Sequence, residues 1–379
     1  MNRILRNLAG AAVLSSLVLV TGNAAPVPSI TGTWSIEPSG GRGAQFVNLE
    51  IRRRSGHSSW SSGETVPVSS LSGLDAGLLA SGSAPVRFEV RRDAGIFRFD
   101  GSVRDGEGAG HFTFEPDPGY VAELAQMGHG RLDDDRLFSL AVHDVSRSFL
   151  RDLSSLGFPR LGLDDAIAFR IHGATVEYIR AIQGLGYRSA TPDEIVAFRI
   201  HGATAEYIRA MQDLGYRTAT PDEIVAFRIH GATPEYVKEL SDLGLTGVSP
   251  DDLVSMRIHG VDAELVRAFR DLGYPRLSAD DLVSMRIHGA TSEYIRELAA
   301  LGYTKVPADD LVAMRIHGVT PEFIRELKSL GYPHVSVDDL VAMRIHHVTA
   351  DFIRRVEARR SQRPSPDELV DMRIHGEND

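Results

Sequence analysis

Eight histidines stand 29 residues apart: His172, His201, His230, His259, His288, His317, His346 and His375. Each ends an Arg-Ile-His triplet, so eight arginines keep the same step: Arg170, Arg199, Arg228, Arg257, Arg286, Arg315, Arg344 and Arg373. Imidazole binds metals and moves protons, and guanidinium binds carboxylates and phosphates. Rows of this kind therefore raise two chemistries, a metal ladder and an anion groove. The metal ladder fails on distance. Packed helices lie about 8–10 Å apart, whereas zinc sits about 2.0–2.1 Å from a ligand nitrogen. Equivalent histidines of neighbouring units cannot share an ion. No other ligand type recurs beside them, and His346-His347 is the one local pair. Seven of the eight histidines precede glycine, which marks them as the last helical residue. There imidazole suits the free carbonyls and the negative helix end, so helix C-terminal capping is the role expected. No metal or other cofactor is expected.

The arginines raise a separate question. On a helical wheel of about 100° per residue, Leu311, Val312, Met314 and Ile316 span an arc centred near Arg315. That places the guanidinium on the packed side, where it needs acceptors. Acids at helix starts, such as Asp310 and Glu322, are the nearest in sequence. The reading is a structural ladder of arginine–carboxylate and arginine–carbonyl contacts that fixes the register of the units. A groove for an anionic ligand is the competing one. The acid pairs Asp251-Asp252, Asp280-Asp281, Asp309-Asp310 and Asp338-Asp339 look like calcium ligands or a catalytic dyad. Adjacent helical residues do not face each other, and the calcium-loop pattern is absent. Helix capping accounts for them. The chain has no cysteine, no Gly-x-Ser-x-Gly, no His-Glu-x-x-His and no phosphate or dinucleotide loop. No catalytic residue is assigned, and the chain is read as non-enzymatic.

The elements that carry these rows follow from the step itself. A period of this size without insertions specifies a stacked repeat array. The unit from Val306 to Tyr332 shows the design. Pro307-Ala308-Asp309-Asp310 opens one helix, with acids at its positive end. Elsewhere the start is a capping box, as in Thr191-Pro192-Asp193-Glu194. Gly318 ends the helix, and Thr320-Pro321-Glu322 starts a second one with Phe323, Ile324, Leu327 and Leu330 as its apolar stripe. Each unit is a helix-turn-helix hairpin. Helices of about ten residues are marginal alone and must stack. The register begins near Asp117, since Tyr120, Leu124 and Gly128 sit two periods before Tyr178, Ile182 and Gly186. At the far end Arg359 and Arg360 replace Leu330 and Gly331, as suits a polar capping unit.

Residues 26–116 differ. Val47-Leu49-Ile51, Val86-Phe88-Val90, Phe97-Phe99 and Phe112-Phe114 alternate at period two, the mark of half-buried strands. Asp105-Gly106-Glu107-Gly108 suggests a hairpin. About six antiparallel strands in a small sandwich or barrel are expected, with Trp34 closing the core and Ser61–Ser83 irregular. The fold class is thus α+β multidomain: a small antiparallel β domain followed by an α-solenoid of 29-residue helix-turn-helix repeats. The expected boundaries are 1–24, 26–116 and 117–379.

Net charge is −10, and it is unevenly placed. Residues 117–379 hold 30 basic and 41 acidic side chains. An acidic array argues against nucleic acid and against an anionic membrane surface. At the N-terminus, Arg3 and Arg6 precede an apolar run from Leu8 to Val20, too short to span a bilayer. With Gly22-Asn23-Ala24 behind it, residues 1–24 read as a secretory signal peptide cleaved before Ala25. A periplasmic or secreted bacterial protein follows, with no integral membrane segment after cleavage.

The unit Leu311-Val312-Ala313-Met314-Arg315-Ile316-His317-Gly318-Val319-Thr320-Pro321-Glu322-Phe323-Ile324 resembles a helical repeat of exported bacterial proteins. It is similar to repeats at the C-terminus of some membrane-bound zinc metallopeptidases of the β-lactam-sensor type. Val86-Arg87-Phe88-Glu89 and Ala94 to Gly101 resemble the β segment that accompanies those repeats. The resemblance covers most of residues 30–376. The peptidase part has no counterpart in this chain, so proteolysis is not implied. What the resemblance implies is an accessory or sensory module outside the cytoplasmic membrane.

Two functions are carried forward. The first is a non-catalytic exported scaffold that binds a protein or cell-envelope partner, with Arg296, Arg325 and Glu326 as candidate contacts. The second is a periplasmic sensor in which the β domain binds a small molecule or cell-wall fragment and the repeats relay it. The sequence sets no oligomeric state.

Overall fold

The computed structural model describes residues 29–40, 45–55, 58–80 and 82–376, so the expected signal peptide lies outside the described residues. The chain divides into two compact units, one ending at Arg151 and the other starting at Asp152.

The first unit is built on six antiparallel strands. They are β1 (Ile30–Pro38), β2 (Phe46–Ser55) and β3 (Ser58–Pro67), then a short helix α1 (Ala76–Leu79), then β4 (Ala84–Arg92), β5 (Gly95–Arg104) and β6 (Glu107–Pro116). The order β3-β2-β1-β6-β5-β4 makes one open sheet, where a sandwich or barrel was expected. The reason is the distribution of apolar side chains. Trp34, Leu49, Phe88, Phe97, Phe99, Phe112 and Phe114 are all buried and fall on one face. The other face carries ion pairs such as Arg87–Asp100 at 2.6 Å and Arg98–Glu89 at 3.1 Å. A sheet with one apolar face needs one cover, not closure.

Three helices follow: α2 (Pro118–Gln126), α3 (Asp134–Val142) and α4 (Arg147–Ser155). Phe138 of α3 supplies the cover, its ring 5.8 Å from both Phe97 and Phe112. Arg147 ties the helices to the sheet unit. Its Nε donates to Glu123 at 2.9 Å, its Nη2 to Asp117 at 2.8 Å and its backbone N–H to Asp93 at 2.8 Å. Asp117, where the repeats were expected to begin, caps α2, and the compact unit containing the sheet runs on to Arg151.

Two local features explain the sheet's detail. Trp34 lies across Gly101 and Gly110, where a Cβ would come within 2.8 Å of the indole. Asp105 and Gly106, with φ of 52° and 95°, form the two-residue turn between β5 and β6. Ser61–Pro67 belongs to β3, contrary to the irregular segment expected there. Its serines, glycine and glutamate give no apolar alternation, and as an edge strand it needs none.

The second unit pairs short helices. The pairs are α5 (Leu163–His172) with α6 (Val176–Gly184), α7 (Pro192–Ile200) with α8 (Ala205–Asp213), and α9 (Pro221–His230) with α10 (Pro234–Asp242). Then come α11 (Pro250–Ile258) with α12 (Ala263–Asp271), and α13 (Ala279–His288) with α14 (Ser292–Ala300). The last pairs are α15 (Ala308–Ile316) with α16 (Pro321–Ser329) and α17 (Val337–Ile345) with α18 (Ala350–Glu357), before α19 (Pro366–His375). Each odd-numbered helix from α5 packs on the next odd-numbered one, and α6 to α16 pack likewise, which gives two layers. Thr191 and Thr220 form the expected capping boxes with Glu194 and Glu223. No helix of the described residues is long and apolar enough to cross a membrane.

Candidate functional site

The arginine row sits at the joints between units. The Nε of Arg199, Arg228 and Arg257 donates to the carbonyl of His172, His201 and His230 at 3.2, 3.1 and 3.3 Å. Each acceptor is the residue at the end of the preceding odd-numbered helix. The same guanidinium stacks on a tyrosine of the preceding unit: Arg199 on Tyr178 at 4.8 Å, Arg228 on Tyr207 at 4.7 Å and Arg257 on Tyr236 at 4.6 Å. Arg315, Arg344 and Arg373 stack in the same way on Tyr294, Phe323 and Phe352. In Arg315 and Arg344 the buried Nε makes no hydrogen bond. Asp310 and Glu322 are not the partners of these guanidinium groups: the ring and the carbonyl take the place expected for carboxylates. Arg170 is exposed at the first rung. Arg286 is also exposed, because Leu265 stands where the ring would be.

Tyrosine supplies a second set of ties. The hydroxyls of Tyr178, Tyr207, Tyr236 and Tyr294 donate to the carbonyls of Ala203, Ala232, Val261 and Val319 at 2.7–2.8 Å, each 25 residues ahead. Tyr120 bonds Val145 by the same step in the first unit. A further row, Tyr187, Tyr216, Tyr274, Tyr303 and Tyr332, donates 32 residues ahead at 2.8–3.1 Å. Burial pushes the phenols of Tyr178, Tyr236 and Tyr294 up to about 12, against the opposing charge of the arginine on each ring. The sequence pointed to Tyr120 and Tyr178 only as register marks and left the other tyrosines of these rows unassigned. A hydroxyl recurring at a buried position was the signal that identifies them as ties.

The isoleucine of each triplet points outward. Ile171, Ile200, Ile229, Ile258, Ile287, Ile316, Ile345 and Ile374 are between 46% and 56% exposed. This corrects the placement of Ile316 on the packed side with Leu311 and Met314, which are fully buried. Buried Ile195 and Phe198 set the inner face of α7, and at about 100° per residue the outward direction falls on Asp193, Val196, Ala197 and Ile200. Every odd-numbered helix from α5 keeps the aspartate and the isoleucine of this face. Eight aspartates equivalent to Asp193 are exposed along its N-terminal edge, from Asp164 to Asp367. The carboxyl of Asp367 is held above its ordinary value by a hydrogen bond and then by charge from Asp339 of the preceding unit. At this last joint the two carboxyls are thus within reach of one another.

The histidines lie along the opposite edge. His172, His230, His288 and His375 end their helices, while His201, His259, His317 and His346 stand one position beyond. His375 Nδ1 lies 2.9 Å from the carbonyl of Asp371. On the second layer, Arg296, Arg325 and Glu326 are exposed on α14 and α16. Arg325 is held by Glu297 and Glu322, both at 2.8 Å, which leaves it less free to meet a partner.

The first unit holds a cavity of about 140 Å³. Leu49, Ile51, Val66, Phe97 and Phe99 line it together with Glu64 and Arg92. No protein-family model matches this chain, and no curated protein sequence matches it.

Proposed function

We propose that this protein is a non-catalytic exported scaffold whose array engages a protein or cell-envelope partner. The observation that carries the reading is the row of eight half-exposed isoleucines. Single exposed apolar residues are ordinary, but a contiguous apolar patch beyond a few hundred Å² marks an interaction surface. The charged faces of the second layer lack such a feature. The resemblance to accessory modules outside the cytoplasmic membrane, and the leader-like residues 1–24, support export. Mature protein purified from the envelope is then expected to begin at Ala25. The scaffold reading is tested with the full chain and the triple variant Ile229→Ser, Ile258→Ser, Ile287→Ser. Immobilised wild type is expected to retain an envelope protein that the variant loses. Equal retention by both would remove this face from the function.

The cavity beneath the sheet favours the sensor as a second reading. Pockets for drug-sized ligands run to about 300–1,000 Å³, so 140 Å³ limits the ligand to a small molecule and disfavours a cell-wall fragment. A shift in thermal unfolding with one-ring or short-chain acids, abolished by Val66→Trp, is the expected result.

A further inference from the structure

We propose that the outer face of the odd-numbered helices is the contact of a symmetric dimer, with a second copy of this chain as its occupant. The inference rests on the reading of that face as an interaction surface and names its partner.

Area is the first argument. Seven steps of about 8–10 Å along a face as broad as these helices are long, about 13 Å at 1.5 Å per residue, give on the order of 800 Å² of face. A standard interface buries about 800 Å² on each partner. The face is therefore the size of a complete interface. Periodicity is the second. A row of isoleucine knobs can be met along its whole length only by a surface with the same step. A second copy has that step by construction, and a twofold axis along the stacking direction sets unit against like unit.

Charge is the third argument. From N- to C-terminal edge the face of α7 to α17 reads aspartate, valine with alanine or serine, isoleucine, histidine, while Ile167 replaces the valine in α5 and Asp371 the small residue in α19. Asp251 on α11 and His259 just beyond its end mark the two edges, roughly 12 Å apart at 1.5 Å per residue. The twofold axis sets helices antiparallel across the contact. Each aspartate row then meets a histidine row, where an imidazole N–H can donate to a carboxylate. The valines meet near the centre, and each isoleucine falls between the partner's valine and aspartate rows. An apolar centre with a polar rim is the arrangement of stable interfaces. Two chains stacked with parallel helices would instead set aspartate against aspartate.

Sedimentation equilibrium of the full chain tests the proposal. Wild type is expected to be a dimer. Ile258→Lys with Ile287→Lys is expected to weaken it at least ~30-fold, as loss of central apolar anchors does, with unchanged far-ultraviolet circular dichroism because both side chains face outward. The chain has no cysteine, so Asp251→Cys with His259→Cys gives a clean second readout. It is expected to form an interchain disulfide, and neither single variant should join residue 251 to 259. A monomeric wild type overturns the dimer. If that monomer still retains an envelope protein through the isoleucines, the scaffold reading stands without it. A dimer indifferent to the lysines overturns this face as the contact.

Discussion

A tyrosine hydroxyl that reaches a backbone carbonyl in the next unit is the smallest device in this protein, and it recurs along the array. The Tyr236 hydroxyl donates to Val261 at 2.7 Å while Arg257 covers the ring. Tyr236→Phe leaves that carbonyl without its donor and is expected to cost about 1–2 kcal/mol, read as a lower denaturant midpoint. The converse substitution is available at Leu265. Leu265→Tyr restores a ring beneath Arg286 and a donor toward Ala290, and should gain about 1 kcal/mol. The phenols also predict a pH dependence. In the unfolded chain they ionise near 10, whereas Tyr178, Tyr236 and Tyr294 hold their protons to about 12 when folded. Their contribution is complete below pH 10 and is lost between pH 10 and 12. The denaturation midpoint should fall across that window, less steeply in Tyr236→Phe. Of these residues the arginines were legible as a row, because their period is unbroken. Their partners were not, because a backbone carbonyl has no signature in the sequence.

At the scale of the element, capping was the most legible feature. Thr-Pro-Asp-Glu names the start of a helix whatever surrounds it, and Thr191 and Thr220 make the bonds their spacing specifies. Glycine names the end, and Gly173 and Gly231 take the left-handed conformation with φ of 69° and 72°. His347 occupies the equivalent place with φ of 56°. A side chain there costs about 1–2 kcal/mol relative to a right-handed residue. His347→Gly is therefore expected to stabilise the protein by about 1 kcal/mol in a chemical denaturation series. The orientation of the odd-numbered helices was less legible. Leu311, Val312, Met314 and Ile316 are all apolar, and a wheel averages them into one broad face. The neighbouring unit buries only Leu311 and Met314 deeply. A helix apolar on both sides has two faces to place, and one sequence does not say which is turned to solvent.

For the molecule as a whole, the strand alternation gave the number of strands but not the closure of the sheet, since the pattern of burial is the same in an open sheet with one cover. The array depends on its joints, as stacked repeats do. The joint between the α11–α12 pair and the α13–α14 pair lacks the tyrosine and arginine ties of its neighbours. Leu265 takes the place of a tyrosine there, Arg286 is exposed, and Leu245 interrupts the second tyrosine row beside a groove of about 480 Å³. Native-state hydrogen exchange is expected to show α12 and α13 opening at lower free energy than α7 to α10. Equal protection across all units would contradict this account of the joints. The joints also bear on how such a chain can change over generations. Most of their acceptors are main-chain oxygens, which every residue possesses. A copy inserted or excised in steps of 29 residues meets the same acceptors at its new neighbours, so the gene can lengthen or shorten its product without compensating substitutions. The length of the array is thereby open to selection as a quantity in its own right, while cysteine-free joints hold each new length together without any oxidative step.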